Sequence, residues 1–147
     1  MKYGSRKHRW AGWLVGLGVL AGACQNDNYI IDPLPTAIVN EQIVLTDPRY
    51  VRLQLDGGYV ELDRGGLKGL IIYRVSNGKF RAFERQCTWQ PTDTCSQVMV
   101  DPSGQFMIDT CCGSQFDFEG RVTAPPAVSP LRQYAAVVSS NVLYISN

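Results

Sequence analysis

Asp109-Thr110-Cys111-Cys112-Gly113-Ser114-Gln115-Phe116-Asp117 is the stretch on which the fold of this chain is decided. It joins two neighbouring thiols to a Gly-Ser turn and a short apolar step. Cys87-Thr88-Trp89 and Cys95 precede it, and Glu119-Gly120-Arg121-Val122, Pro125-Pro126-Ala127 and Pro130-Leu131-Arg132-Gln133-Tyr134 follow. Most of these lie within residues 85–130, which are rich in Cys, Pro, Gly and Asp and poor in long apolar runs. A loop-rich insertion between regular strands is where a rigid scaffold usually carries its site.

Outside that insertion, the chain from Ile38 onward is a series of short runs rich in Val, Ile, Leu, Tyr and Phe, broken by turn residues and without a sustained helical period. Residues 43–45 and 51–55 flank Asp47-Pro48, Asp56-Gly57-Gly58 turns into residues 59–62, and Arg64-Gly65-Gly66 leads to residues 70–75. Asn77-Gly78 joins that run to residues 79–84 in a two-residue hairpin, since a type I′ turn needs positive φ at both central positions. Residues 134–138 and 142–146 pair across Ser139-Ser140-Asn141. The pattern predicts an all-β fold.

The 147 residues suffice for one domain with a real core and are too few for two ordinary ones. With 45% hydrophobic and 18% charged residues the body is globular, neither disordered nor fibrous. Of the 14 Lys+Arg, four (Lys2, Arg6, Lys7 and Arg9) precede the first apolar run; without them ten positives face 13 Asp+Glu, a net of −3. A nucleic-acid role therefore has no electrostatic footprint. His8, the one histidine, lies in the same basic start. Chemistry that needs imidazole is excluded from the rest of the chain, including a hydrolase built on Ser114 and Asp117.

Residues 1–23 read as a signal peptide: a basic start, then a Gly/Ala-rich apolar stretch at 10–23 that is too short to span a bilayer comfortably as a permanent helix. The stretch ends Leu20-Ala21-Gly22-Ala23-Cys24, similar to a bacterial lipobox, in which small residues admit the peptidase and the cysteine carries the lipid. The leucine usual three places before the cysteine is here Ala21, with Leu20 one place early. The competing reading is an ordinary secretory signal with Cys24 as a disulfide partner. Under the first, Cys24 is lipidated, residues 24–39, polar and then Pro-containing, tether the chain to a membrane, and residues 40–147 form the domain in the cell envelope. No other segment reads as a span.

Setting Cys24 aside leaves Cys87, Cys95, Cys111 and Cys112, an even number in an oxidising compartment. Zinc or plant-type cluster sites normally present Cys-x-x-Cys spacings, which these lack. Adjacent Cys111 and Cys112 point apart in an extended segment. Two disulfides are expected, and of the three connectivities the one joining Cys111 to Cys112 requires a strained ring between neighbours. A redox-active vicinal pair is the alternative.

The order of these motifs resembles the Rieske iron-sulfur domain. In that family one loop carries Cys-x-His and a second Cys-x-x-His-Gly-Ser-x-Phe-Asp, followed by a Gly-Arg-Val turn, a Pro-rich loop and a Pro-Leu-x-x-Tyr strand. The resemblance runs over residues 40–147 and is most specific at 113–121. It implies an antiparallel β-sandwich with an inserted loop-rich subdomain at 85–130. It also implies that Cys87, Trp89, Asp109 and Cys112 stand at the four cluster-ligand positions, where the family has Cys, His, Cys and His. Only Cys87 keeps the family's residue, and a Rieske cluster needs two neutral imidazoles and two thiolates. The fold is implied, and the electron transfer is not. Some Rieske proteins clasp their two cluster loops with a disulfide whose positions here are Cys95 and Cys111; Cys87 and Cys112 are then left for a second bridge across the cluster position.

Trp89 fills the vacated space or offers a ligand a stacking surface, and Asp109 is read as a solvated loop charge. The function expected is that of a non-enzymatic envelope lipoprotein with a binding or structural role, similar to the lipid-anchored, cluster-free Rieske-like proteins of some Gram-negative bacteria. No cofactor, nucleic acid or small-molecule substrate is expected; the partners are a membrane, through the lipid on Cys24, and an envelope protein. The alternative is a Rieske-family electron-transfer protein that holds a [2Fe-2S] cluster by unusual ligation.

Overall fold

The computed structural model describes residues 35–147; the expected signal peptide, Cys24 and most of the tether lie outside them. The strands in chain order are β1 (Asn40–Val44), β2 (Tyr59–Leu62), β3 (Leu70–Arg74), β4 (Phe80–Glu84), β5 (Val98–Val100), β6 (Met107–Asp109), β7 (Gln115–Phe116), β8 (Val122–Ala124), β9 (Gln133–Ser139) and β10 (Val142–Ser146). All pairings are antiparallel. One sheet runs β1-β10-β9-β4-β3-β2 and the other β5-β6-β7-β8. The larger sheet consists of two leaves joined at β9, whose residues 135–139 pair with β10 while Gln133 and Tyr134 pair with β4. The smaller sheet is the insertion between β4 and β9, and the fold is all-β.

Leu70-Ile71-Ile72 is fully buried without alternation, the mark of a strand covered on both faces. Leu70, Ile72 and Ala82 face a core shared with Ile43, Leu143 and Ile145 of the other leaf. Ile71 and Phe83 face the opposite way, into a second core with Val98, Met107, Phe116 and Leu131. The site-bearing insertion is thus packed on the back of the β2-β3-β4 leaf.

Residues 51–55 are not a strand. Pro48–Gln54 is a pair of short 3-10 turns that meet at a kink at Tyr50 (φ −112°, ψ 21°): Asp47 caps the first by accepting from the Arg49 N–H at 2.9 Å, Pro48 opens it, and Tyr50 and Leu53 are the segment's buried residues. The hairpin lengths also differ from expectation. Asn77 and Gly78 have positive φ (62° and 69°), but the loop is Ser76–Gly78, closed by the Val75 N–H on the Lys79 carbonyl at 2.7 Å. The two-residue turn is the other one, Ser140-Asn141 with φ of 47° and 65°, because Ser139 already pairs with Val142.

Candidate functional site

Two loops meet over the second core, and buried polar groups aim the first. β4 ends at Glu84, whose fully buried carboxylate accepts from the N–H groups of Leu67 (2.8 Å), Lys68 (3.0 Å) and Gln86 (3.0 Å) and from the Tyr134 hydroxyl (2.8 Å). Arg85 donates to the Val98 carbonyl at 3.0 Å and pairs with Glu61 and Asp63, while the Gln86 amide donates to the Ser96 carbonyl at 3.0 Å. These contacts tie both ends of the first loop, so that Cys87 enters the core fully buried.

β6 delivers the second loop. Its inward residues are Met107 and Asp109. Residues 110–112 then turn, closed by the Gly113 N–H on the Asp109 carbonyl at 2.7 Å, and Gly113 takes the positive φ (83°) that glycine accepts without a Cβ clash. Asp109 Oδ1 accepts from the Cys111 N–H at 2.8 Å. Cys111 is joined to Cys95 by a disulfide, with Cα atoms 5.7 Å apart. Cys112 faces the other way: its Sγ lies 4.0 Å from Cys87 Sγ, 3.3 Å from Asp109 Oδ2 and 3.1 Å from Ser114 Oγ. The candidate ligand atoms of Cys87, Asp109 and Cys112 all lie within 4.8 Å of one another.

Three expectations are corrected. Asp109 is not a solvated charge but is fully buried, because it continues the inward alternation that starts at Met107. The Cys87–Cys112 bridge is not formed: both are free thiols, and Asp109 and Ser114 hold the Cys112 thiol with its sulfur 4.0 Å from that of Cys87, about twice the length of a disulfide bond. Cys111 and Cys112 diverge from a turn, not from an extended segment. Trp89, the remaining ligand-position residue, is half-buried against the second core, and its backbone N–H donates to Cys87 Sγ at 3.5 Å. Burial pushes the Cys87 thiol pKa far above its ordinary value of 9.0, the Trp89 N–H opposes this, and Asp109 adds to the rise.

Sequence reasoning gave no role to Glu84 and, with a hydrolase excluded, only loop packing to the Gly113-Ser114-Gln115-Phe116 stretch. Ser114 is fully buried; its hydroxyl accepts from the Ala127 N–H at 2.9 Å and meets Cys112, latching the Pro-rich loop to the thiol turn. The signal for Glu84 was three polar residues, Glu84-Arg85-Gln86, following an apolar strand directly before Cys87.

No protein-family model and no curated protein matches the chain. Among solved structures it is similar to the cyanobacterial plasma membrane Rieske protein PetC3 from Synechocystis PCC 6803, with 21% identity over 76% of this chain and 100% of that one and a TM-score of 0.53. A Sphingomonas yanoikuyae B1 ferredoxin is 20% identical over 65% of this chain and 93% of that one, with a TM-score of 0.45. A Rieske cluster needs two imidazoles and two thiolates. The donors brought together here are two thiols and a carboxylate, with no histidine among the described residues, and they do not fit that cluster. In fold, the described part of the chain is a Rieske-like domain.

Proposed function

We propose that this chain is a non-enzymatic envelope lipoprotein whose Rieske-like domain serves a binding or structural role toward another envelope protein, with its cluster site rebuilt. The observation that carries this reading is the donor set at the loop tips, two thiols and a carboxylate within 4.8 Å. The Cys95–Cys111 disulfide clasps the two loops, and the polar contacts of Glu84 and Gln86 tie the ends of the first, so that their arrangement has support other than a cluster. Support for the anchor is the Leu20-Ala21-Gly22-Ala23-Cys24 motif. Among the described residues no helix is long and apolar enough to cross a membrane.

The test is fatty-acid labelling with cell fractionation, together with iron and acid-labile sulfide analysis of the purified protein. The expected result is label and membrane association that Cys24→Ala abolishes, with neither iron nor sulfide. Label and fractionation unchanged by Cys24→Ala would refute the anchor. The convergence of Cys87, Asp109 and Cys112 favours one competing reading, a [2Fe-2S] electron-transfer protein with unusual ligation. Stoichiometric iron and sulfide with visible absorption bands would decide for it.

A further inference from the structure

We propose that Cys87, Cys112 and Asp109 form a mononuclear site for a thiophilic divalent cation of the zinc type. The site rests on the reading that no [2Fe-2S] cluster is bound there. Its first support is a contrast between two fully buried carboxylates. Glu84 is satisfied by four donors, three backbone N–H groups and a phenol. Asp109 has one backbone N–H, on Oδ1, and otherwise only thiols, Cys112 on Oδ2 and Cys87 beside it, and no cationic side chain reaches it among the described residues. A buried carboxylate so thinly compensated is costly, and two thiols beside it offer nothing positive. A cation bound between them gives the carboxylate a positive partner in direct contact, while the loss of both thiol protons leaves the net charge of the site unchanged.

The spacing agrees. Tetrahedral zinc, with bonds of about 2.3 Å to sulfur and about 2.0 Å to oxygen, places its ligand atoms about 3.8 Å (S···S) and about 3.5 Å (S···O) apart. The distances found are 4.0 Å from Cys87 Sγ to Cys112 Sγ and 3.3 Å from Cys112 Sγ to Asp109 Oδ2, with the third pair, Cys87 and Asp109, inside 4.8 Å. The surroundings also orient the ligands as outer partners of a metal do. The Cys111 N–H holds Oδ1 and leaves Oδ2 toward the thiols, and the Trp89 N–H supports Cys87 Sγ. Cys112 is the partly exposed member, so the ion enters from its side and water completes the fourth position. On binding, two S–H bonds break and the ion gives up all but one of its hydrating waters, two Zn–S bonds and one Zn–O bond to Asp109 form, and both protons and the displaced waters pass to solvent. No electron is exchanged.

The test uses the full chain carrying Cys24→Ala, so that no further thiol competes, and begins with a thiol count. Zn²⁺ is titrated against a chromogenic chelator with proton release monitored, and Co²⁺ is added in parallel for absorption. Expected are free thiols at Cys87 and Cys112, one Zn²⁺ per chain, two protons released, and a Co²⁺ spectrum with thiolate charge-transfer and tetrahedral bands. Asp109→Asn, nearly isosteric, should weaken Zn²⁺ binding by at least the roughly ten- to hundredfold that loss of an outer partner costs, because a direct ligand is lost, and Cys112→Ser should weaken it further and reduce the charge-transfer band. Circular dichroism checks that each variant is folded; if Cys112→Ser is not, Asp109→Asn and the Co²⁺ spectrum decide. A Cys87–Cys112 bridge in the purified chain, no saturable Zn²⁺ binding, or binding indifferent to Asp109→Asn would overturn the site alone. Stoichiometric iron and acid-labile sulfide would overturn both the site and the reading beneath it.

Discussion

The phenol of Tyr134 donates to Oε2 of Glu84 at 2.8 Å inside the protein, tying β9 to the last residue of β4. Burial and the facing Glu84 carboxylate push the Tyr134 pKa up from 10.0 to about 12. The folded protein therefore keeps a proton that the unfolded chain gives up near its ordinary value. The resulting stability is complete below about pH 10 and is lost as the pH rises toward about 12. The buried Cys87 thiol contributes with the same sign, from its ordinary 9.0 upward. Tyr134→Phe should flatten part of this alkaline slope and cost about 1–3 kcal/mol at neutral pH, where a bond to a buried charge is lost. Urea unfolding at neutral pH and at about pH 11 checks both.

Gly66 has a φ of 67°, and a Cβ there would run into the Glu84 carboxylate. Gly66→Ala should displace the carboxylate from the Leu67 and Lys68 N–H groups and add backbone strain, a loss of about 2–4 kcal/mol. Thermal unfolding measures it. An unchanged midpoint would mean that Glu84 does not organise the first loop.

Ser114→Ala leaves the buried Ala127 N–H without its acceptor, which should cost about 1–3 kcal/mol. The loss should be local. Hydrogen exchange is expected to speed up at Ala127 and in the Pro-rich loop while the amides of β3 keep their protection.

Cys95→Ser with Cys111→Ser opens a bridge between residues 16 positions apart. By the loop-entropy argument the destabilisation should be about 3 kcal/mol. The check is a lower urea midpoint with the far-ultraviolet circular dichroism of the folded state retained.

The strand pattern was legible because most runs carry their own turn signals: residues 59–62 were placed to the residue, and both hairpins formed. The 3-10 segment was not, because Val51, Leu53 and Leu55 mimic strand alternation, whereas the buried pair is Tyr50 and Leu53. At the site, motif order assigned Cys87, Asp109 and Cys112 to equivalent positions, and the structure brings their ligand atoms together. What failed was the treatment of those residues one at a time. Asp109 looked like a loop charge because a single carboxylate at the end of a three-residue strand does not advertise which way it points. The fate of the Cys87 and Cys112 thiols depended on Asp109 and Ser114 as third and fourth partners. Choosing among cysteine pairings by elimination leaves such partners out.

The β2-β3-β4 leaf acts as a party wall between two rooms, with Leu70, Ile72 and Ala82 furnishing one and Ile71 and Phe83 the other. Inserting or deleting one residue at the start of β3 would send Leu70 and Ile72 into one wrong room and Ile71 into the other at once, since strand side chains alternate strictly. The tips of residues 87–89 and 109–112 hang on the second room and are not free of it: Cys87 is part of its furniture, and Cys111 carries the bridge that joins the two loops. A change of chemistry at either tip is therefore felt in the stability of that room, while the first room, on the far side of the wall, is insulated from it.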